Sequence, residues 1–463
     1  MKTNILLSLI LLIFTSCSEK FLEENPESFL ATDNVYTNTN GFNAAKNGLY
    51  AFARLEFQTF TDGPVRQGAC NYEALQVGLD VCYVAMGDPT LIPFEKYSFN
   101  PTSGYVVNRW KWAYGLIANA NQIINNAENN NVNWKDPAND KQYFQAQGYF
   151  FRAYAYRYLV YLYGDVPWVT TIANSYRTDF ARTPKKEVLQ NMISDLEKAA
   201  QFLPSDPAKV KDGELTKWAA LHLLSEICLY SGDYEKAKTA ALAVINSEYY
   251  QLNKSRFGKH LDEEGDLYSD MFKENNHNRS SGNKESIWVM QAEYDTQGGG
   301  GRYQDWARRA WVPGYFRISG FVLSPEYGGR GLGQIRPMHS FLESYEETDI
   351  RNSSNNIRRE FYYNDPTKPT LFGTKHIITE SNEAKGECFP TITKFDYGIE
   401  NNPTYEGVSK DRTKFRLAET YLLLAEAYIR LNDPIKAKDA INEVRMRAGA
   451  SLISESDVSM DFL

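Results

Sequence analysis

Two stretches of this chain nearly repeat one another. Leu223 to Lys238 reads LLSEICLYSGDYEKAK and Leu423 to Lys438 reads LLAEAYIRLNDPIKAK, with seven of sixteen positions identical. Each reads as a helix, a Gly-Asp or Asn-Asp turn, and a second helix opening Lys-Ala-Lys. Ala240 and Ala440 carry the likeness into that second helix. Small alanines let paired helices approach closely. A helical hairpin of this kind cannot bury its apolar face alone and needs stacked neighbours, so the repeat constrains the fold more than any other feature.

The remaining periodicity supplies the neighbours. Phe42, Ala45, Leu49 and Phe52 share one helical face, and residues 109–129 do the same with Trp112, Ile117, Ala120 and Ile124. Residues 142–163 carry the most aromatic helix, with Phe144, Phe150, Phe151, Tyr154, Tyr158 and Tyr161, and stop at Gly164-Asp165-Val166-Pro167. Thr183-Pro184 opens another helix bearing Val188, Met192, Leu196 and Ala199, which ends at Leu203-Pro204. Tyr158 to Asp165 followed by the 183–203 helix reads as a third, degenerate unit. Residues 41–129 read as a fourth, split by an insertion. The expected fold is all-α: a tetratricopeptide-like helix-pair scaffold of about four units. Residues 58–108 and 250–412 lack sustained helical periodicity and are rich in Gly, Asn, Tyr and Pro. They are expected to be long irregular insertions packed on one side, where binding residues concentrate.

The amino end is read separately. Lys2 precedes an apolar run from Ile5 to Phe14, interrupted only by Ser8. That run is too short to span a bilayer and fits a secretory signal. Phe14-Thr15-Ser16-Cys17 resembles a bacterial lipobox, with Phe14 where an aliphatic residue is usual. The expectation is a signal peptide over 1–16, lipidation of Cys17, a tether to residue 40, and a single domain over 41–463. The formal net charge of −8 becomes −9 once Lys2 is removed, which argues against nucleic acid and against a basic patch on anionic lipid. Cys70, Cys82, Cys228 and Cys388 are spaced too irregularly for a zinc site. Cys228 reads as core. Cys70 and Cys82 either pair, in an oxidising compartment, or stay as buried thiols.

Several segments in order resemble the SusD/RagB family of Bacteroidetes lipoproteins. Phe151-Arg152-Ala153-Tyr154 through Gly164-Asp165-Val166-Pro167 resembles the family's FRA…GDVP helix and turn. Leu215-Thr216-Lys217-Trp218-Ala219-Ala220 resembles its next repeat, and Asn283-Lys284-Glu285-Ser286-Ile287-Trp288 its NKE strand. Arg416-Leu417-Ala418-Glu419 through Ala425-Glu426-Ala427 is similar to its RLAE…AEA helix, with Asn442-Glu443-Val444-Arg445 following. The family pattern continues into an ERRREL-like helix and a GxRWxDLxR-like run. The sequence stops at Leu463 before them; if the chain ends there in the cell, contacts made by that segment are missing. Family members often carry an acidic export signal right after the lipid cysteine, and here Ser18-Glu19-Lys20 is only half acidic. The resemblance implies a non-enzymatic lipoprotein on the outer face of the outer membrane. It implies capture of oligosaccharide, or in some members peptide, for a SusC-like TonB-dependent transporter. It also directs attention to the first insertion, where Asn71, Asp80 and Tyr83 lie.

The second insertion holds the densest aromatic run: Tyr303, Trp306, Trp311, Tyr315 and Phe316, interleaved with Arg302, Arg308, Arg309 and Arg317 and preceded by Gly298 to Gly301. Sugar rings present an apolar C–H face that packs on aromatic rings, so these residues read as a ligand platform with Arg309 and Asp305 as hydrogen-bonding partners. Against this, large aromatics are mostly buried and would equally pack the insertion onto the scaffold. The arginines would suit an acidic ligand such as a uronic acid, or surface ion pairs. Two carboxylate clusters, Glu343, Glu346, Glu347 and Asp349, and Asp262, Glu263, Glu264 and Asp266, are the candidates for a glycosidase acid pair. Both sit in polar runs and read as solvated faces. No GxSxG or HExxH motif is present, and nothing matches an EF-hand. The expectation is therefore no catalysis, no metal and no cofactor beyond the Cys17 lipid. The competing readings are a periplasm-facing protein-interaction lipoprotein and a helical glycoside hydrolase.

Overall fold

A computed structural model describes residues 35–57, 73–172, 176–294, 296, 305–397, 404, 407 and 409–463. Eight long helices form the scaffold: α1 (Thr39–Arg54), α2 (Gly104–Asn126), α3 (Asp140–Tyr163), α4 (Lys185–Phe202), α5 (Lys217–Ser231), α6 (Tyr234–Ile245), α7 (Leu417–Arg430) and α8 (Pro434–Ala448). From α2 to α8 each helix packs on the next, and α1 lies against α2 and α3. This is the stack of four helix pairs that the repeat predicts. The first insertion is shorter than expected, because α2 already begins at Gly104.

The two repeats fold alike down to their turns. Gly232 closes α5 at φ +86°, and Asn432 occupies the corresponding place after α7 at φ +58°. The next residue, Asp233 or Asp433, sends its backbone N–H back 2.9 Å to the helix, to Cys228 O or Tyr428 O. Its side chain then caps the following helix by accepting from Lys236 N or Lys436 N. A left-handed position suits Gly best and Asn next. A Cβ at Gly232 meets no neighbour within 4 Å, so Gly232→Ala is expected to cost only the backbone term, about 1 kcal/mol. Asn432→Gly should be neutral or slightly stabilising. Urea denaturation of both variants checks this, and equal losses in the two would contradict it.

Close packing sets the helix spacing. Ala219, Ala220, Ala237, Ala240, Ala427 and Ala437 are buried, and at Gly148 a Cβ would come within 2.6 Å of Ile124 Cγ1 and 3.0 Å of Ala120 O. Charge is buried too. Arg152 Nε and Nη2 clasp both carboxylate oxygens of Asp195 at 2.7 and 2.8 Å, joining α3 to α4.

The insertions are not free loops. β2 (Ser286–Met290), buried along its length, pairs antiparallel with β6 (Arg412–Arg416), which leads directly into α7. Trp288 of β2 seats against α3, 5.3 Å from the rings of Phe150 and Tyr154. β1 (Cys82–Val84) of the first insertion pairs with β3 (Ile335–Pro337) of the second. β4 (Ile357–Arg358) and β5 (Thr391–Ile392) form a third short ladder. The two insertions thus pack as one layer beside the helical stack.

Candidate functional site

The aromatic run of the second insertion packs inward wherever it is described. Trp306 and Trp311 are 7% and 6% exposed and belong to a small apolar core with Cys82, Leu91, Tyr105 and Ile335. Trp311 stacks on Phe395 at 4.9 Å, and the Arg309 guanidinium lies 5.2 Å over Trp306. Tyr315 is fully buried among Phe321, Tyr327 and Phe361, and exchanges hydrogen bonds with Ser324. Arg308 is buried and donates to Tyr397 O. The platform expected from Trp306, Trp311, Tyr315 and Arg309 is corrected in one respect: the three rings are buried, Trp306 and Trp311 against the first insertion and Tyr315 within the second, with the partly exposed Arg309 over Trp306. The reason is burial of apolar area, which these large rings satisfy better than any other residues in the layer. Tyr303, Arg302, Asn71, Cys17 and Cys70 lie outside the described residues, so the Cys70–Cys82 question does too; Cys82 is buried with its Sγ 2.9 Å from Gln76 O.

An open aromatic pair lies in the first insertion. Tyr97 is 73% exposed and Phe99 47%. Phe99 stacks on Phe94 at 4.9 Å with rings 12° apart, and Phe94 in turn meets the buried Tyr105 edge-on. Tyr97 sits at φ +52°, a left-handed backbone that is costly for a bulky side chain, and its hydroxyl donates to Gly78 O. That bond brings the ring to the segment that holds exposed Leu75, Leu79 and Asp80. Asp80 is exposed, two residues beyond the Gly78 carbonyl that accepts from Tyr97. Tyr83, on β1, is partly exposed, with the Arg336 guanidinium 4.1 Å over its ring. The signal that reasoning from sequence passed over is Phe94, Tyr97 and Phe99. Three aromatics sit within six residues after Pro93, at a spacing that fits no single helix face.

A polar opening of about 620 Å³ lies at the end of α1, lined by Arg54, Asp212, Asn278, Gln291, Tyr294 and Asp411. Its groups bind one another: Arg54 donates to Gln291 O at 2.6 Å, and Asn278 donates to Asp411 at 2.9 Å. The acidic clusters are likewise engaged. Asp266 accepts from Ser353 and Asn356, Asp349 pairs with Arg351, and Glu346 with Arg445. Among the described residues no three of His, Cys, Asp and Glu come together as a metal site, and no helix is long and apolar enough to cross a membrane.

Known proteins share this chain's pattern and shape. The family pattern described as starch-binding, associating with outer membrane, matches residues 88–229, and that of the SusD family matches residues 284–461. A SusD-like protein of Formosa agariphila is 28% identical over 96% of this chain and 81% of its own. A SusD-like protein of Bacteroides ovatus is 25% identical over 97% of this chain and 76% of its own. Among solved structures, surface glycan-binding protein A of Bacteroides thetaiotaomicron, in complex with laminarihexaose, superposes with a TM-score of 0.70 at 19% identity. The match covers 92% of this chain and 86% of that one. A SusD superfamily protein of Parabacteroides distasonis gives 0.67 at 21%, over 92% and 82%. At such identities the structural likeness establishes the fold.

Proposed function

The chain belongs to the SusD/RagB family, and from that premise we propose that it captures oligosaccharide at the outer membrane without altering it chemically and passes it to a SusC-like TonB-dependent transporter. Lipidation at Cys17 anchors it, with the domain on the extracellular face. The observation that carries the binding site is Tyr97. A large ring is held in open solvent, on a backbone conformation that costs about 1–3 kcal/mol, two residues from the exposed Phe99 and bonded to Gly78, two residues from Asp80. Core packing does not explain that arrangement; a stacking surface for a sugar does. The solved neighbour complexed with laminarihexaose supports glycan as the ligand class.

Calorimetry against a panel of glycans and peptides tests this, with product analysis run in parallel. One glycan class should bind and be recovered intact. Tyr97→Gly should weaken that binding by roughly tenfold or more, the loss of one well-placed stacking contact. Because glycine relieves the left-handed backbone, the same variant should unfold close to the parent temperature. A folded Tyr97→Gly protein that binds as tightly as the parent moves the site elsewhere. Recovery of shortened glycan would replace capture by hydrolysis.

A further inference from the structure

β6 and its lead-in read Lys-Asp-Arg-Thr-Lys-Phe-Arg, with cations at 410, 412, 414 and 416. At strand period these four share one face. All four line a cavity of about 480 Å³, with Asp411 and Thr413 between them. Arg351, Lys394 and Arg447 close it from other elements, whereas the lining carboxylates are Asp305, Asp411 and Glu419.

Four of the cations are neutralised. Arg351 pairs with Asp349, Arg412 with Asp305, Lys414 with Glu56 and Arg447 with Glu285. Asp411 and Glu419 are held by other partners, Ala292 N–H and Asn278 for the first and His222 for the second. Lys394, Lys410 and Arg416 have no carboxylate in ion-pair contact among the described residues. Lys410 donates only to the carbonyls of Lys394 and Asp396, at 3.1 and 3.2 Å. Arg416 lies against Phe272 and Tyr268. Lys394 is solvent-exposed with its ammonium 4.9 Å from the Phe395 ring.

Independent of the charges, polar atoms are left over. His277, 3% exposed and part of the lining, has its Nδ1 buried without a hydrogen-bond partner. Arg416 Nη1 and Thr413 Oγ1 share that state on the same wall. Buried polar groups are normally paired, so unpaired ones around a roomy polar cavity mark a place for a bound group. The ionisations agree. Burial holds Lys414 below the usual lysine range and Lys410 down at about 8. Burial alone would raise the Tyr268 phenol, but Arg416, Lys394, Arg447 and Arg351 outweigh it and hold the phenol below its usual value. The cavity disfavours further positive charge and rewards negative charge.

We propose that this cavity seats a compact anionic group on a sugar, a carboxylate or a sulfate ester, so that the captured oligosaccharide is an acidic one. The volume lies within the range of small-ligand pockets and suits one acidic sugar unit. The inference rests on the capture reading but uses a different surface from Tyr97.

Calorimetry of the protein with length-matched neutral gluco-oligosaccharide, oligogalacturonate and a sulfated galacto-oligosaccharide tests it, alongside Lys394→Gln. That lysine makes no ion pair among the described residues, so its variant should fold normally. One acidic ligand should bind at least tenfold more tightly than the neutral one and weaken with salt, and Lys394→Gln should remove about tenfold of that affinity. Carboxylate and sulfate are told apart by which arm responds. If neutral glycan binds and neither acidic ligand binds better, or if Lys394→Gln changes nothing, the anion site is overturned and capture stands. If no oligosaccharide binds, but galacturonic acid raises the unfolding temperature of the parent and not of Lys394→Gln, the anion site stands and capture falls. Absence of every response overturns both.

Discussion

Glu56→Gln is expected to lower the free energy of unfolding by about 3–5 kcal/mol, the usual consequence of removing one partner from a buried ion pair. Glu56 is fully buried just beyond α1. Its carboxylate accepts from the hydroxyls of Tyr154 and Tyr158 on α3 and from Lys414 Nζ, 2.9 Å away on β6. The Glu56 carbonyl also takes Arg109 Nη2 of α2 at 3.0 Å. One residue therefore ties two scaffold helices to the strand that carries the second insertion. Glutamine keeps the shape but leaves the Lys414 ammonium buried without its counter-charge. Lys414→Met should be destabilising for the same reason, while the double variant should recover part of the loss, since a neutral, well-packed pair often replaces a buried ionic one at little cost. Urea denaturation at neutral pH measures all three. Additive losses in the double variant would show that the pair is not coupled.

The same carboxylate sets an acid limit. Burial would raise its pKa, but Lys414, Arg109 and the two phenols outweigh burial and bring it from an ordinary 4.5 to about 2. The folded state thus binds fewer protons at this site than the unfolded state. Its stabilisation is complete above the unfolded pKa and drains away as pH falls from there toward the folded one, by up to roughly 3 kcal/mol. In Glu56→Gln the pH dependence of the unfolding midpoint across that window should be shallower. An unchanged slope would place the acid sensitivity in other carboxylates.

What sequence reading could reach follows from the range of each interaction. The helix pairs were legible because their signals are local: the spacing of Leu223, Leu224 and Cys228, the Gly232-Asp233 and Asn432-Asp433 turns, the Lys-Ala-Lys openings. Glu56 was not, because its partners lie 98, 102 and 358 positions away and nothing near it in sequence marks it as buried. Trp306 and Trp311 show a different limit. An aromatic run looks the same whether it lines a surface or fills a core, and only the β1–β3 pairing, which brings the two insertions face to face, decides for the core. Tyr97 inverts the case, since its exposure and left-handed backbone exist only in three dimensions. The alternation Lys410, Arg412, Lys414, Arg416 is visible in the sequence as a period of two. Taken alone it reads as a solvated strand face, and the enclosing elements make it a cavity wall.

Trp288→Ala should produce a loss of about 3–5 kcal/mol, the range for emptying the site of a large buried ring. Trp288 is 2% exposed and stands where β2 meets α3. Phe150, Phe151, Tyr154 and Phe415 surround it at centroid distances of 5.3, 5.9, 5.3 and 5.4 Å, mostly edge to face, an arrangement that adds to the gain from burial alone. Its indole N–H also donates to Gly213 O at 3.1 Å, fastening the segment ahead of α5. Trp288→Phe keeps most of the ring area but loses that bond and part of the volume, so it should fall between parent and alanine. Because β2 pairs with β6 and Trp288 is its largest side chain in the scaffold core, beside Ile287 and Met290, the alanine variant should also loosen the insertion layer before the helices unfold. Hydrogen exchange read by mass spectrometry should then show residues 286–290 and 412–416 gaining deuterium sooner than α3 and α4, where the parent protects all of them alike. If strands and helices in Trp288→Ala still exchange together, the ladder is held by something other than Trp288, and the ring is only filling space.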